Sequence, residues 1–158
     1  MRSVVGMAVA VLAAMVAATA AITPQFNACP LTVALSTKPK ATSSKAGVTA
    51  GGKVAVTFKV SKTDKKGWPA ALGQGNVTIT VPPELCVLAT GPKGAHIDTA
   101  SGNVVWSGVN FNKLGARTFR VRTRVQSYYN QSSCAGFSAQ ADIPALQCSS
   151  VPVSVEVS

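Results

Sequence analysis

Acidic side chains and histidine are scarce in this sequence. The chain holds five Asp and Glu residues and one His, against fifteen Lys and Arg residues. Nucleophilic catalysis needs a base beside the nucleophile, and acid–base catalysis needs paired titratable groups. His96 and Asp98 come nearest, because they share one face of an extended segment close to Ser101. No nucleophile motif accompanies them, so we interpret them as a turn pair and predict a protein that is not an enzyme and has no cofactor.

Paired cysteine motifs are also absent. Cys29, Cys86, Cys134 and Cys148 form no CxxC pair, and His96 has no neighbour at ligand spacing, which disfavours a metal site. An even number of cysteines in an exported chain is most simply explained by two disulfides. We therefore predict that all four cysteines are disulfide-bonded, and the sequence leaves three pairings open.

Long hydrophobic runs are confined to the N terminus. A short positive start is followed by the apolar stretch VVGMAVAVLAAMVAATAA, which contains the small-residue cleavage pattern Ala18-Thr19-Ala20. This order is typical of a secretory signal peptide. We predict a signal helix at 1–20, a single mature domain at 21–158, and a secreted or cell-surface location. The alternative is an uncleaved membrane anchor over residues 4–22, since the run is just long enough to span a bilayer, although its second half is rich in Ala.

No part of the mature chain has apolar residues at helical spacing over three turns. Apolar residues instead alternate with polar ones, most clearly in KVAVTFKVSK, where Val54, Val56, Phe58 and Val60 share one face. A further extended piece begins at Leu85, after the proline pair that stops NVTITV. Similar alternation occurs in CPLTVALS, NVTITV, SGNVVWSG, ARTFRVRTRVQ, SCAGFSAQADI and VPVSVEVS. Seven or eight short strands, with a loop-rich segment at 36–52, predict an all-β sandwich or barrel.

The order of these signals resembles a known family, the immunoglobulin-like "conserved repeat" domain, also called domain of unknown function number eleven. The resemblance covers about residues 31–158. It implies an immunoglobulin-like antiparallel sandwich of two sheets with structural or adhesive work outside the cell, and it transfers no catalytic residues. The residues that carry it are Gly51 and Gly52, Val81 with Pro82 and Pro83, Trp106, and Leu114 with Gly115.

The stretch TFRVRTRV is the most distinctive charged segment. Alternation in a strand places Arg120, Arg122 and Arg124 on one face and apolar residues on the other. The simplest interpretation is a solvated outer sheet face. The alternative is a row that binds an acidic polysaccharide or another polyanion, because the guanidinium fork can donate two hydrogen bonds to one anionic group. In that case the row is extended by Arg117 and lysines such as Lys59 or Lys113, whereas in the solvated interpretation it is extended by Gln126.

Net charge supports the same class of partner. The chain carries +10 at neutral pH, which loss of Arg2 with the signal peptide lowers to +9. A basic exported surface attracts acidic polysaccharides or other polyanions. Specific nucleic-acid recognition is disfavoured by export and by the absence of a recognition helix or stacking platform.

Two tryptophans and two sequons complete the candidate residues. Trp106 is predicted to fill the space between sheets, whereas Trp68 lies in a loop and is the better candidate for stacking on a sugar ring. Asn76 and Asn130 begin N-x-Ser/Thr sequons that a eukaryotic secretory pathway could glycosylate. The sequence thus predicts a non-enzymatic structural or adhesive module of an extracellular surface. The alternatives are a binding protein for acidic polysaccharide and a membrane-anchored surface protein.

Overall fold

The chain folds into two packed antiparallel β-sheets. The computed structural model describes residues 30–39, 48, 50–62, 72–112, 115–126 and 135–157. Within these ranges the strands are β1 (Leu31–Lys38), β2 (Lys53–Lys62), β3 (Gln74–Thr80), β4 (Leu85–Gly91), β5 (His96–Asp98), β6 (Asn103–Asn110), β7 (Gly115–Val125), β8 (Ala135–Ile143), β9 (Cys148–Ser149) and β10 (Val153–Val157). A 3₁₀ turn, Pro144–Leu146, lies between β8 and β9.

The strands are divided unequally between the sheets. A four-stranded sheet has the order β1-β2-β7-β4, and a six-stranded sheet has the order β10-β8-β3-β6-β5, with β9 paired to β8. Every strand pairing is antiparallel. The all-β prediction is therefore confirmed as a β-sandwich.

The core is formed by the inward-facing residues of both sheets. Val56, Phe58 and Val121 are fully buried in the four-stranded sheet, and Ile79 and Phe137 in the six-stranded sheet. Burial of such side chains stabilises the fold by roughly 1.5–3 kcal/mol each. The alternation read from the sequence therefore identifies the core face of these strands correctly.

Trp106 lies between the sheets, as predicted. Only 3% of its surface is exposed, and its ring packs on Phe119 with centroids 5.1 Å apart at a tilt of 58°. Its indole N–H donates a hydrogen bond of 2.9 Å to the carbonyl of Pro92. The buried ring thus has a partner for its polar atom, which a buried indole requires.

The predicted turns hold the strands in register. The amide of Gly51 donates to the carbonyl of Val125 at 3.0 Å, and the amide of Val125 donates to the carbonyl of Gly52 at 2.8 Å. Gly51 has a φ of 79°, which favours glycine. At the other turn, β3 ends before Pro82-Pro83 and β4 begins at Leu85, as the proline pair predicts.

The structure differs from the sequence-based prediction in strand number and in two boundaries. It has ten strands in the described ranges instead of seven or eight, because β5 and β9 are too short to show a periodic pattern. β1 continues to Lys38, inside the segment predicted as loop at 36–52. The closing strand begins at Val153, so Val151 lies outside it and is 76% exposed.

The prediction of two disulfides is wrong at Cys86. This residue is an exposed free thiol, and its sulfur lies 3.4 Å from the carbonyl oxygen of Arg124, to which it donates. Alternation along β4 turns Cys86 outward beside Arg124, away from the core that buries Cys148. Cys148 is not a free thiol. Cys29 and Cys134 lie outside the described residues, so their bonding stays a prediction.

The N-terminal segment also lies outside the described residues. The signal helix, its cleavage and the alternative anchor over residues 4–22 therefore stay predictions. Among the residues that the structure describes, no helix is long and apolar enough to cross a membrane.

Candidate functional site

The outer face of the four-stranded sheet carries the arginine row predicted from the sequence. Arg120, Arg122 and Arg124 are exposed, whereas Phe119 and Val121 between them are buried. Alternate residues of a strand are about 6.8 Å apart, so the row spans roughly 14 Å. The three side chains thus form a cationic row that faces solvent.

Neighbouring strands widen the row into a surface. Lys53 lies opposite Arg124 and Lys59 lies opposite Thr118 in the pairing of β2 with β7. Lys38 lies opposite Ala55 in the pairing of β1 with β2. We call this surface the basic face, and its six exposed cations are Lys38, Lys53, Lys59, Arg120, Arg122 and Arg124.

The centre of the basic face contains a shallow notch. Ala55 and Ala89 flank Arg122 in the sheet, and their small side chains leave space between the longer ones around them. The notch has a volume of about 290 Å³, and its lining includes Lys38, Lys53 and Arg122. Three cations therefore surround a depression in which an anionic group has room to sit.

Charge is segregated between the two sheets. All eight Lys and Arg residues that occur in the described strands belong to β1, β2 and β7 of the four-stranded sheet. The described strands of the six-stranded sheet contain no Lys or Arg, and they hold Asp98, Asp142 and Glu156. No acidic residue occurs in the four strands that form the basic face. Within the described strands, positive charge is therefore concentrated in the four-stranded sheet and negative charge in the six-stranded sheet.

Arg117 does not belong to the basic face. It lies opposite the buried Val60 in the pairing with β2, on the inward-facing side of β7, and is half-buried. There it lines a pocket of about 510 Å³ together with Lys93 and the ring of Trp106. The prediction that Arg117 extends the row is corrected, because residues an odd number of positions apart in a strand point to opposite faces.

Two other predicted members have different positions. Gln126 is half-buried at the end of β7, and its side-chain amide donates to the carbonyl of Pro83 at 2.9 Å. Its hydrogen-bonding capacity is thus used to hold the Pro82-Pro83 turn. Lys113 lies outside the described residues.

His96 and Asp98 form part of a turn. The Asp98 carboxylate accepts a hydrogen bond of 2.7 Å from the Ser101 hydroxyl and one of 3.0 Å from the Ala100 amide. These bonds, first that from Ser101 and then that from Ala100, lower the pKa of Asp98 below its ordinary value, and the charge of His96 adds a smaller effect. Because the Ser101 hydroxyl donates to the Asp98 carboxylate, this hydrogen bond stabilises the turn between the two residues.

Of the remaining candidate residues, one lies among the described residues and two do not. Asn76 is half-buried on β3, on the outer side of the six-stranded sheet, and Thr78 of the same sequon lies on the same side. Asn130 and Trp68 lie outside the described residues. Glycosylation and ring stacking by these residues stay predictions.

The comparisons with known proteins show the fold. No family model matches the chain, and no curated protein matches it, so the resemblance to the conserved repeat domain stays a prediction. Among solved structures, the N-terminal domain of the Streptococcus gordonii adhesin Sgo0707 matches with a TM-score of 0.58 and 10% identity. The match covers 80% of this chain and 32% of that chain, less than two thirds of its length. This likeness shows a shared β-sandwich fold.

Two further solved structures match at lower similarity. AvmM, which catalyses macrocyclization in alchivemycin A biosynthesis, has a TM-score of 0.47 at 11% identity, covering 82% of this chain and 88% of that chain. The Fcho1 Mu homology domain of Danio rerio with bound Eps15 peptide has a TM-score of 0.42 at 15% identity, covering 71% and 37%. Neither carries an argument about this chain.

Proposed function

We propose that the chain is a non-enzymatic adhesive module of an extracellular surface, which binds acidic polysaccharide through its basic face. The observation that carries the proposal is the charge segregation. Six exposed cations share one sheet face with no acid in its strands, while the acids of the strands lie in the other sheet.

The geometry suits a linear polyanion. The arginine row repeats every ~6.8 Å over roughly 14 Å, a length over which an extended acidic chain offers several anionic groups. Each guanidinium can donate two parallel hydrogen bonds to a sulfate or carboxylate. The notch around Arg122 adds Lys38 and Lys53 from neighbouring strands, so an anionic group there meets three cations from three strands.

Repulsion within the unliganded row is small. Charges ~6.8 Å apart in water repel by about 0.6 kcal/mol. This repulsion is small enough for the basic face to be stable without a bound ligand. A bound polyanion removes this repulsion and releases the counterions of the face, which makes binding depend strongly on salt.

The test measures the salt concentration that elutes the protein from agarose carrying heparin, which is a sulfated polysaccharide. The triple variant R120Q/R122Q/R124Q should elute at markedly lower salt than the wild-type protein. The matched control is K65Q/K66Q/K93Q, which removes the same charge from residues that are not among the six cations that define the basic face. The control should elute close to the wild type. Equal elution of the two triple variants would show that net charge alone governs retention and would refute the proposal.

The proposal also includes an immunoglobulin-like sandwich fold and an extracellular location. The sheet of β1, β2, β7 and β4 packed on a sheet with β10 at its edge supports an immunoglobulin-like sandwich, and the fold shared with an adhesin domain supports surface work. Export rests on the signal-like residues 1–20. Detergent-dependent extraction of the native protein would instead favour the anchored alternative.

A further inference from the structure

The outer face of the six-stranded sheet carries a polar cleft. The cleft has a volume of about 350 Å³ and lies over β3, β6 and β8, with Pro152 at its rim. Its polar lining on β3 and β8 consists of Asn76, Thr78, Thr80, Ser138, Gln140 and Asp142. It lies on the opposite sheet from the basic face, so its chemistry is independent of the function proposed above.

The polar side chains of the cleft are partly covered. All six point away from the core, and each of them is half-buried. A ligand here would contact these side chains and the neighbouring sheet surface that partly covers them.

Asn76 lies opposite a β-bulge in β6. The pairing of β3 with β6 shifts register between Gly75 and Val77, where Ser107 and Gly108 of β6 oppose the single residue Asn76, and on its other side Asn76 pairs with Asp142 of β8. A Cβ atom at Gly75 would collide with the Asp142 carbonyl and contact the Phe111 ring, so glycine is needed for this close approach. Bulges re-aim side chains and recur next to functional sites.

Cross-strand pairing brings the polar groups together in rows. Asn76 faces Asp142, Thr78 faces Gln140, and Thr80 faces Ser138. Directly opposed side chains have Cβ atoms about 4.5–5.5 Å apart. An amide and a carboxylate at this spacing can contact neighbouring hydroxyl groups of one ligand.

Several polar side chains of the cleft have no hydrogen-bond partner among the described residues. The Thr80 hydroxyl donates to the Asn103 carboxamide oxygen at 2.8 Å, and the Gln140 amide donates to the Ser149 hydroxyl. In the part of the chain that the structure describes, the side chains of Asn76, Thr78 and Asp142 make no hydrogen bond to protein. They present a donor and an acceptor, a hydroxyl, and an acceptor-only carboxylate to the cleft.

We propose that this cleft binds a neutral saccharide. A polyanion is disfavoured, since the strands of this sheet contain acids and no Lys or Arg. A mainly apolar ligand is disfavoured because it would bury uncommitted polar groups without partners. Sugar hydroxyls both donate and accept, which matches the mixed set of amide, hydroxyl and carboxylate groups.

The test is an NMR titration of isotope-labelled protein with maltohexaose, cellohexaose, mannohexaose and chitohexaose as probes. At least one probe should shift the backbone amide resonances of residues on β3 and β8 around Thr78 and Gln140. Binding should be in the millimolar range, because no aromatic ring among the described residues lines the cleft. No shift at these strands with any of the probes would overturn the proposal.

Isosteric variants localise the effect without disturbing packing. D142N removes the charged acceptor and T78V removes a hydroxyl, and each should weaken binding, D142N by about tenfold. T118V, the same substitution on the exposed basic face, is the matched control and should bind like the wild type. Equal binding by D142N, T78V and T118V would overturn the proposal, and so would a native protein whose Asn76 carries a glycan, which would fill the cleft. Heparin retention should be unchanged in D142N and T78V, so failure here is distinguishable from failure of the basic-face proposal.

Discussion

Lys53 on β2 and Arg124 on β7 lie directly opposite each other in the four-stranded sheet. Both side chains are exposed on the basic face, and no acid occurs in the strands around them. Like charges in directly opposed positions destabilise a sheet. The pair therefore costs stability in the unliganded protein and makes the face more attractive to an anion.

Removal of one member of this pair should stabilise the fold. Charges about 5 Å apart in water repel by about 0.8 kcal/mol, so K53T should raise the free energy of unfolding by about that amount at low ionic strength. K59T is the matched control, because Lys59 is exposed on the same strand but faces Thr118. Urea unfolding should show a larger gain for K53T, and salt should remove the difference through screening. Equal gains would mean that strand propensity alone is measured.

Two buried threonines should respond in opposite directions to the same substitution. The Thr37 hydroxyl is buried and has no hydrogen-bond partner among the described residues, whereas the Thr123 hydroxyl donates to the Val54 carbonyl at 2.9 Å. T37V removes an unpaired polar group and should raise the free energy of unfolding by about 1 kcal/mol, while T123V should lower it by about 1 kcal/mol. Thermal unfolding of both variants checks the sign, and destabilisation by T37V would contradict the assignment.

Local alternation explains how much of this fold was predictable. The buried side of β2 and the exposed position of Arg120, Arg122 and Arg124 follow from a period of two, which needs only neighbouring residues. The same count places Arg117 on the opposite face, so the sequence contained that signal. Alternation cannot show which distant strands are neighbours, so the sequence does not predict Lys38 and Lys53 as members of the basic face.

The polar cleft could not be predicted from the sequence for a related reason. It depends on the pairing of β3 with β8 and on a bulge in β6 opposite Asn76, and both are set by contacts between segments far apart in the chain. In the sequence, Asn76 and Thr78 stood out only as parts of a sequon. Cys86 shows the same limit, because an even cysteine count does not reveal that one thiol points outward.

The Asp98 turn gives a prediction on protonation. The pKa of Asp98 is lowered mainly by the Ser101 hydroxyl and the Ala100 amide. Because the folded pKa lies below the unfolded one, the contribution of this carboxylate to stability is present above the unfolded pKa and is lost as pH falls through the folded pKa. S101A should move the Asp98 pKa up toward its ordinary value in an NMR titration. H96A should move it less, and an unchanged pKa in S101A would contradict the assigned cause.

Cys86 should be reactive in the native protein. It is an exposed free thiol at the edge of the four-stranded sheet, whereas Cys148 is buried and is not free. Maleimide labelling under native conditions, followed by peptide mapping, should mark Cys86 and leave Cys148 unmarked. C86S should abolish that label and retain the fold. A Cys86 peptide found in a disulfide would restore the sequence-based prediction and contradict the structure.

Alanine substitutions at Gly102 and Gly51 should distinguish the cost of backbone strain from the cost of a steric collision. Both have positive φ, 72° and 79°, which costs an alanine roughly 1–2 kcal/mol. A Cβ atom at Gly51 would meet nothing within 4 Å, whereas one at Gly102 would collide with the Val81 carbonyl. The Gly102 carbonyl also accepts a 2.9 Å hydrogen bond from the Val81 amide, so the turn cannot move away freely. G102A should therefore lower the free energy of unfolding by about 1 kcal/mol more than G51A, and equal losses in urea unfolding would show that this contact yields without cost.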